Sequence, residues 1–149
     1  FLLGLCSRFV LGVKIHFLAK SQLFFFPLGQ FLRAVGGIAV DRSKKGNLVE
    51  NVVSKFQQHE NFAITITPEG TRGQVKRWKE GFYHIACKAN VPIAMVGFDY
   101  PTKEIRISAP VRVTGNIKED FPQFVTFCRS IKGLYPQEVP DYQEPSKPL

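Results

Sequence analysis

The hydrophobic positions in the first half of the chain switch between a strand-like and a helix-like period. Short apolar or alternating runs at VKIHFLA, IAV and NFAITIT have the length and the β-branched content that are typical of strands. Before the last of them, Leu48, Val49, Val52, Val53 and Phe56 recur at helical spacing. This period predicts a helix from Asn47 to about His59, so strands and helices alternate.

The second half of the chain continues this alternation. EGFYHIACKA predicts a helix over 80–89, and VPIAMVGFDY predicts a strand over 91–100. IRISAPVRV adds one or two strands over 105–113, and KEDFPQFVTFCRSIKGLY predicts a last helix over 118–135 that packs on the sheet. The predicted fold class is therefore α/β, with a mostly parallel central sheet flanked by helices and a late antiparallel hairpin.

The composition predicts one domain followed by a tail. A chain of 149 residues that is 44% hydrophobic and 21% charged can bury a single sizeable core. Pro136, Pro140, Pro145 and Pro148 are too many for a helix or a central strand. We therefore predict a domain over 1–134 and an extended, Pro-rich tail over 135–149.

The apolar residues near the N-terminus leave two placements open. FLLGLCSRFVLG predicts an amphipathic or buried helix, and the charge-free stretch 21–32 is shorter than the roughly 20 residues that a membrane-spanning helix needs. We therefore expect no segment that crosses a bilayer. QLFFFPLGQFL either lies against a membrane surface, where aromatic residues next to basic ones are favourable, or belongs to the core.

The net charge indicates the classes of partner, and the cysteines indicate the redox compartment. Twenty Lys and Arg against twelve Asp and Glu give a net charge of +8. This charge favours a polyanionic partner, which could be nucleic acid, an anionic membrane surface, or a phosphorylated or CoA-type substrate. Cys6, Cys87 and Cys128 are odd in number and form no C-x-x-C pair, so we expect no disulfide framework, no zinc site and a reducing compartment.

Charged residues follow two of the predicted strands. IAVDR delivers Asp41 and Arg42, and AITITPEGTR delivers Glu69 and Arg72. Because ligands of α/β sheets bind beyond the carboxyl ends of the strands, we expect the two arginines to converge on one anion. The planar fork of donors on Arg suits phosphate, and Gly70 allows backbone N–H groups to come close to it.

Basic residues surround Trp78 just beyond this loop and raise the positive potential there. They are Lys76, Arg77 and Lys79. The alternative interpretation is that Glu69 and Arg72 pair across an ordinary turn and that the later basic residues form a solvated face.

The histidines do not predict a catalytic base. His16 lies in a strand pattern and His59 at a helix end, where packing or capping roles are commoner. His84 and Cys87 are neighbours on one predicted helix, whereas a nucleophile and its base normally come from distant segments. The chain also contains no G-x-S-x-G, Walker or G-x-G-x-x-G motif, which excludes the corresponding hydrolases, NTPases and dinucleotide-binding proteins.

Four segments in order resemble sequence blocks of the glycerophospholipid acyltransferases, also called the lysophosphatidate acyltransferase or PlsC-like family. They are GGIAVDRS (36–43), PEGTRG (68–73), RWKEGF (77–82) and VPIAMVGF (91–98). The resemblance covers nearly the whole chain except the tail. Thr67 stands where many members carry Phe before Pro-Glu-Gly.

The resemblance implies an enzyme of phospholipid biosynthesis. Such an enzyme moves a fatty acyl group from the thioester of acyl-CoA or acyl-carrier protein to the hydroxyl of a lysophosphatidate-like glycerol phosphate. The residues implied to bind the substrate phosphate are Arg42, Glu69, Gly70, Thr71, Arg72 and Lys79. The two arginines would neutralise the phosphate, Lys79 would assist, and the other three would shape the loop. We expect no cofactor and no metal ion.

The family's catalytic block, His-x-x-x-x-Asp, supplies a general base and the carboxylate that orients it. The residues five positions after the three histidines of this chain are Ser21, Ile64 and Ala89. We therefore expect that the catalytic His and Asp are absent, that this fragment begins just after their block, and that it is nearly inactive. The alternative is a non-catalytic member of the fold that binds anionic lipids.

The partners implied by the resemblance are acyl-CoA or acyl-carrier protein, a lysophospholipid and a membrane surface. We expect a cytoplasmic protein, peripheral on the inner face of the membrane, with no nucleic-acid partner. A basic RNA- or DNA-binding domain is the third hypothesis, and its affinity for random oligonucleotides would fall steeply with salt.

Overall fold

The chain divides into two compact units, Phe1–Thr67 and Pro68–Leu149. The computed structural model describes residues 14–40, 47–71, 73–135 and 138–143. The helix predicted within the first twelve residues lies outside the described residues. The prediction of one domain over 1–134 with a tail over 135–149 stays a prediction.

Unit 1 is built on a three-stranded parallel sheet. Its strands are β1 (Ile15–Lys20), β2 (Gly37–Val40) and β3 (Ala63–Thr65), in the order β2-β1-β3. Phe17 of β1 lies opposite Gly37 on one side and opposite Thr65 on the other, and both pairings are parallel. The predicted parallel sheet of an α/β fold is confirmed.

Helices connect these parallel strands, because the chain must return to the start of the sheet before each new strand. Helix α1 (Leu28–Ala34) lies between β1 and β2, and α2 (Asn47–Gln58) lies between β2 and β3. Leu32 of α1 is 8% exposed, and Val52 and Val53 of α2 are 1% and 7% exposed. The apolar period of α2 therefore does form its buried face, as predicted.

Unit 2 combines two helices with an antiparallel hairpin. Its elements are α3 (Gly81–Ala89), β4 (Val96–Asp99), β5 (Glu104–Ile107) and α4 (Ile117–Arg129). Strands β4 and β5 pair from Val96 opposite Ile107 to Asp99 opposite Glu104. The predicted late hairpin is confirmed, although β4 is shorter than the predicted 91–100, and Ile93 contributes only an isolated bridge to Val111.

The core of unit 2 is mostly aromatic. Its buried residues are Trp78, Tyr83, Phe121, Phe124 and Val125. Val139 and Tyr142 also pack against this cluster, and the Tyr142 ring centroid lies 5.3 Å from that of Phe121. Residues 138–143 form no helix or strand, as the Pro-rich composition predicts, but they are held on the core.

The only carboxylate of α4 that is buried among the described residues belongs to Asp120, which is 4% exposed. Its Oδ2 accepts hydrogen bonds from the Tyr83 hydroxyl at 2.7 Å and from the backbone N–H of Thr114 at 2.7 Å. The Thr114 hydroxyl donates a third bond at 3.1 Å. Burial and then the hydrogen bond to Asp120 raise the pKa of Tyr83, so the phenol stays protonated and donates.

Most of the large apolar side chains in the segment 22–32 lie outside the core, although Leu32 is buried. Phe25, Phe26 and Phe31 are exposed, so the alternative that places them in the core is wrong for these three. Within the described residues, no helix has both the length and the apolar character needed to span a bilayer.

Candidate functional site

The loop that carries PEGTRG begins unit 2 and is tied to the basic segment that follows it. The backbone N–H of Lys79 donates to the carbonyl oxygen of Pro68 at 2.8 Å. Gly70 has a φ of 65°, which is the left-handed region that favours glycine. A Cβ at Gly70 would lie 2.9 Å from Nζ of Lys79 and 3.1 Å from its Cε. The structure therefore places the ammonium group of Lys79 directly against Gly70.

The other described residues of the loop are partly open to solvent. Glu69 and Gly70 are half-buried, and Thr71 and Lys79 are exposed. The backbone N–H of Gly73 donates to the Thr71 hydroxyl at 3.5 Å, which is a long hydrogen bond. An anion bound at this loop could therefore contact the ammonium of Lys79 and the hydroxyl of Thr71, since both residues are exposed.

The two predicted arginines lie outside the described residues. The structure therefore brings together Gly70 and Lys79, with Glu69 and Thr71 on either side of Gly70, and leaves Arg42 and Arg72 untested. Their predicted convergence on one phosphate stays a prediction. The alternative pairing of Glu69 with Arg72 is untested for the same reason.

Trp78, which directly precedes Lys79, is a core residue. Trp78 is 6% exposed and packs on Phe121, with 5.3 Å between the ring centroids. Its neighbours Arg77 and Lys79 are exposed. Among the described residues, the buried indole N–H of Trp78 has no hydrogen-bond partner.

Glu80 organises the charges behind Lys79. Its side chain is 10% exposed, and its Oε1 lies 3.9 Å from Nη2 of Arg77. Its Oε2 lies 3.7 Å from Nε2 of His84, one turn further along α3. Arg77 and His84 therefore share one carboxylate, while no ion pair is found for Lys79 within the described part of the chain. The exposed side chain of Lys79 is accessible from solvent.

The two described cysteines are not placed as nucleophiles. Burial raises the pKa of the Cys128 thiol, and the nearby charge of Glu69 raises it further. Cys87 is half-buried on α3, and the ring nitrogen of His84 that is nearest a charged group faces Glu80. The expectation that His84 and Cys87 form no nucleophilic pair agrees with this geometry.

His16 has a structural role in unit 1. Its Nδ1 lies 3.1 Å from the carbonyl oxygen of Ala63 on β3, and its ring stacks on Phe62 with 4.5 Å between centroids. An Nδ1–H that donates to this carbonyl leaves Nε2 unprotonated. Burial lowers the pKa of His16, and the hydrogen bond to Ala63 offsets this only in part.

A cleft of about 830 Å³ lies beside the loop, between residues 74–76, the end of α4 and residues 138–143. Arg129 in its lining is paired within the protein. Nη2 of Arg129 lies 3.0 Å from Oδ1 of Asp141 and donates to the carbonyl oxygen of Val139 at 3.0 Å. No group of three His, Cys, Asp or Glu that could hold a metal ion is found in the described ranges.

Comparison with known proteins places the chain among acyltransferases. A family model described as Acyltransferase matches residues 2–99. A 1-acyl-sn-glycerol-3-phosphate acyltransferase of Cocos nucifera is 28% identical over 145 residues, covering 86% of this chain and 47% of that protein. A protein of the same name from Limnanthes alba is 30% identical over 81 residues, covering 50% of this chain and 29% of that protein.

A mammalian relative matches as well. The 1-acyl-sn-glycerol-3-phosphate acyltransferase alpha of Mus musculus is 29% identical over 116 residues, covering 70% of this chain and 38% of that protein. The chain thus spans less than half the length of these relatives. No solved structure gave a significant match.

The family match includes all four sequence blocks that carried the resemblance, from GGIAVDRS to VPIAMVGF. It also includes β1 to β4 and the contact between Gly70 and Lys79. Because the match extends over more than half of the sequence, the chain belongs to the acyltransferase family, as a PlsC-like member.

Proposed function

We propose that this chain is the acceptor-binding part of a lysophosphatidate acyltransferase. The reaction would transfer a fatty acyl group from the thioester of acyl-CoA or acyl-carrier protein to the free hydroxyl of a lysophosphatidate-like glycerol phosphate. The names of the relatives support this substrate class. The approach of the Lys79 ammonium to Gly70 supports a phosphate site on the PEGTRG loop and is the observation that carries the proposal.

The roles of the site residues follow from their chemistry. Arg72 would bind the phosphate with two parallel N–H···O bonds, and Lys79 would add a compact positive charge against the same loop. Gly70 leaves room for Lys79, and Glu69 and Thr71 set the conformation of the loop around it. The resemblance to the family implies Arg42 as a second ligand of the phosphate.

The acyl-transfer step also needs a base to take the proton of the attacking hydroxyl. His16 is held against Ala63 and Phe62, and His84 faces Glu80, so neither is placed for this role. None of the three histidines is followed five residues later by Asp. We therefore propose that these 149 residues alone bind the acceptor but transfer acyl groups slowly.

A second candidate is a non-catalytic member that binds anionic lipids. The exposed ammonium of Lys79 and the net charge of +8 would serve such binding without a catalytic base. The two candidates differ in selectivity, because an acyltransferase site should prefer the phosphomonoester of lysophosphatidate to a phosphodiester head group. In either case we propose a peripheral protein on the cytoplasmic face of a membrane, because the proposed ligand is an amphiphile.

Binding of monomeric short-chain lysophosphatidate, measured by calorimetry, tests the proposal. We expect Arg72→Ala and Lys79→Ala each to weaken binding about 10- to 100-fold, since charge-assisted hydrogen bonds to phosphate are lost. Lys132→Ala is the matched control, because Lys132 is exposed and distant in sequence from the loop. Equal loss in the control would show that only net charge matters and would contradict the proposed site.

Two further ligands separate the candidates. Lysophosphatidylglycerol, a phosphodiester, should bind more weakly than lysophosphatidate to an acyltransferase site and equally well to a general anionic-lipid site. With acyl-CoA present, we expect phosphatidate to form about 10² to 10⁴ times more slowly than with the Cocos nucifera enzyme, which is the usual contribution of general base catalysis. A comparable rate would mean that these residues do contain the base.

A further inference from the structure

Unit 1 exposes a short run of large apolar side chains that the phosphate site does not use. We call residues 23–31 the aromatic turn. Leu23 is 44% exposed, Phe25 is 60%, Phe26 is 79% and Phe31 is 52%. Scattered single apolar residues are normal on protein surfaces, but several within nine positions form a contiguous patch that indicates an interaction site.

The backbone holds this patch as a projecting turn. The N–H of Gly29 donates to the carbonyl oxygen of Phe25 at 2.5 Å, and the N–H of Gln30 donates to that of Pro27 at 3.2 Å. Gly29 is buried against the backbone of Phe24, where a Cβ would collide with the Phe24 carbonyl oxygen. Leu32 anchors α1 in the unit, so Phe25 and Phe26 are presented outward from a fixed base.

The charged residues that flank the aromatic turn in sequence are all basic. Lys14, Lys20 and Arg33 are exposed, and the sequence contains no Asp or Glu before Asp41. The guanidinium carbon of Arg33 lies 5.6 Å from the centroid of the Phe24 ring, which brings a cation to the edge of the apolar patch. Aromatic side chains with a basic border are complementary to the surface of an anionic bilayer.

A second exposed apolar patch in unit 2 lacks this property. Its members lie on one face of the hairpin: Val96, Phe98, Ile105 and Ile107. The same hairpin carries Asp99 and Glu104 together with Lys103 and Arg106, so its charges are mixed. This patch therefore offers no charge match to an anionic surface and provides an internal control.

We propose that the aromatic turn inserts into the interface of an anionic phospholipid bilayer. Phe25 and Phe26 enter the boundary between head groups and acyl chains, and Lys20 and Arg33 bind lipid phosphates beside them. This inference rests on the proposed function only because a lysophospholipid acceptor would be located in a membrane. The contact itself needs neither the PEGTRG loop nor an acyl donor.

Flotation of the full chain with vesicles tests the surface. The vesicles contain phosphatidylcholine and phosphatidylglycerol in equal parts, with pure phosphatidylcholine for comparison. We expect the double variant Phe25→Ser/Phe26→Ser to partition about tenfold or more weakly into the anionic vesicles, because two aromatic side chains no longer leave water. The single variant Phe98→Ser removes an exposed Phe from the mixed-charge patch and should change partitioning little.

The basic border is tested with charge-matched variants. Lys20→Gln/Arg33→Gln should weaken partitioning about 30-fold, at about fivefold for each basic residue near an anionic surface. Lys55→Gln/Lys132→Gln makes the same change in net charge at exposed positions elsewhere and should have a smaller effect. An equal effect of both pairs would overturn the proposal in favour of general electrostatic attraction.

A spectroscopic readout separates insertion from loss of folding. The only native tryptophan, Trp78, is buried, so Phe26→Trp adds a reporter at the turn. We expect its emission to shift to the blue with anionic vesicles and to be quenched by lipids brominated near the head group. Absence of a shift, or absence of vesicle binding by the native chain, would overturn the proposal.

The two proposals fail separately. Phe25→Ser/Phe26→Ser should keep its affinity for monomeric lysophosphatidate, whereas Lys79→Ala should lose that affinity and still float with vesicles. A protein that floats but ignores monomeric lysophosphatidate would contradict only the phosphate site.

Discussion

At the residue scale, Gly70 is the position on which the candidate site depends most directly. Its φ of 65° disfavours any residue with a Cβ, and that Cβ would meet Nζ of Lys79 at 2.9 Å. We expect Gly70→Ala to cost about 1 kcal/mol of stability from the left-handed backbone. It should also weaken lysophosphatidate binding about tenfold, because Lys79 is displaced from its charge-assisted contact with the phosphate.

Gly73 provides the matched control for this change. A Cβ at Gly73 would have no heavy atom within 4 Å, and the residue lies in the same loop. Gly73→Ala should therefore keep the binding affinity, as measured by calorimetry, and the unfolding midpoint. Equal affinities for the two alanine variants would show that the position of Lys79 does not matter for the phosphate.

Tyr83 is the second residue whose loss should be measurable. Tyr83→Phe keeps the ring in the core but removes one of the donors to the buried carboxylate of Asp120. We expect a loss of about 1.5–3 kcal/mol in the free energy of unfolding, which is the usual contribution of a hydrogen bond to a charged group. Urea unfolding measures it, and Tyr100→Phe at an exposed position should have little effect.

His16 should make the stability of the protein depend on pH. Its pKa is lowered below the ordinary 6.5 in the folded protein, mainly by burial, so the unfolded chain binds the proton more tightly. The free energy of unfolding is therefore expected to fall as the pH drops below about 6.5 and to level off below the folded pKa. Unfolding midpoints of His16→Gln should lose this dependence, while those of His59→Gln should retain it.

Individual residues show where sequence reasoning stops. The blocks PEGTRG and RWKEGF predicted that Gly70 and Lys79 belong to one phosphate site. In the structure the two residues lie together. The basic residues around Trp78 give no sign of its burial, yet it is a core residue, because its partner Phe121 lies on a helix much later in the chain. The exposure of Phe25 and Phe26 could not be predicted either, because a run of phenylalanines is compatible with both a core and a surface position.

At the scale of elements, the start of α4 is fixed by a single cap. The Asn116 side chain accepts from the backbone N–H of Lys118 at 3.2 Å, and its Nδ2 donates to Oε1 of Glu119 at 2.6 Å. We expect Asn116→Ala to destabilise unit 2 by about 1 kcal/mol, as other N-cap losses do. Urea unfolding measures the loss, and Asn61→Ala in an exposed turn is the control. An unchanged midpoint would mean that the core holds α4 without its cap.

The periods of the sequence predicted the type of each described element better than its ends. The parallel strands and α2 follow directly from apolar spacing. The strand predicted over 91–100 is interrupted because Pro92 and Pro110 have no backbone N–H for pairing. At Met95 the backbone N–H donates instead to the Ser108 hydroxyl at 2.9 Å. A hydrogen bond from the backbone to a side chain, in place of one between strands, cannot be predicted from the pattern of hydrophobic residues.

At the scale of the molecule, the boundary between the two units falls between Thr67 and Pro68, directly before PEGTRG. The sequence offers no Gly- or Ser-rich linker there, so composition alone could not have predicted a boundary at this point. Family membership, by contrast, was predictable, because four short blocks in order are a far more specific signal than composition or charge.

The net charge of +8 makes a last prediction about the choice of partner. Any polyanion should attract the protein at low salt, but attraction through phosphates alone falls steeply as salt rises, by about 10³ or more between dilute and physiological salt for six to ten contacts. Insertion of Phe25 and Phe26 depends on apolar burial, which salt does not screen.

We therefore expect random oligonucleotides to bind only at low salt, while anionic vesicles still bind at physiological salt. Competition between the two, followed by flotation at increasing salt, measures this. If oligonucleotides displaced the vesicles at physiological salt, and bound Phe25→Ser/Phe26→Ser as tightly as the native chain, a nucleic acid would be the better partner.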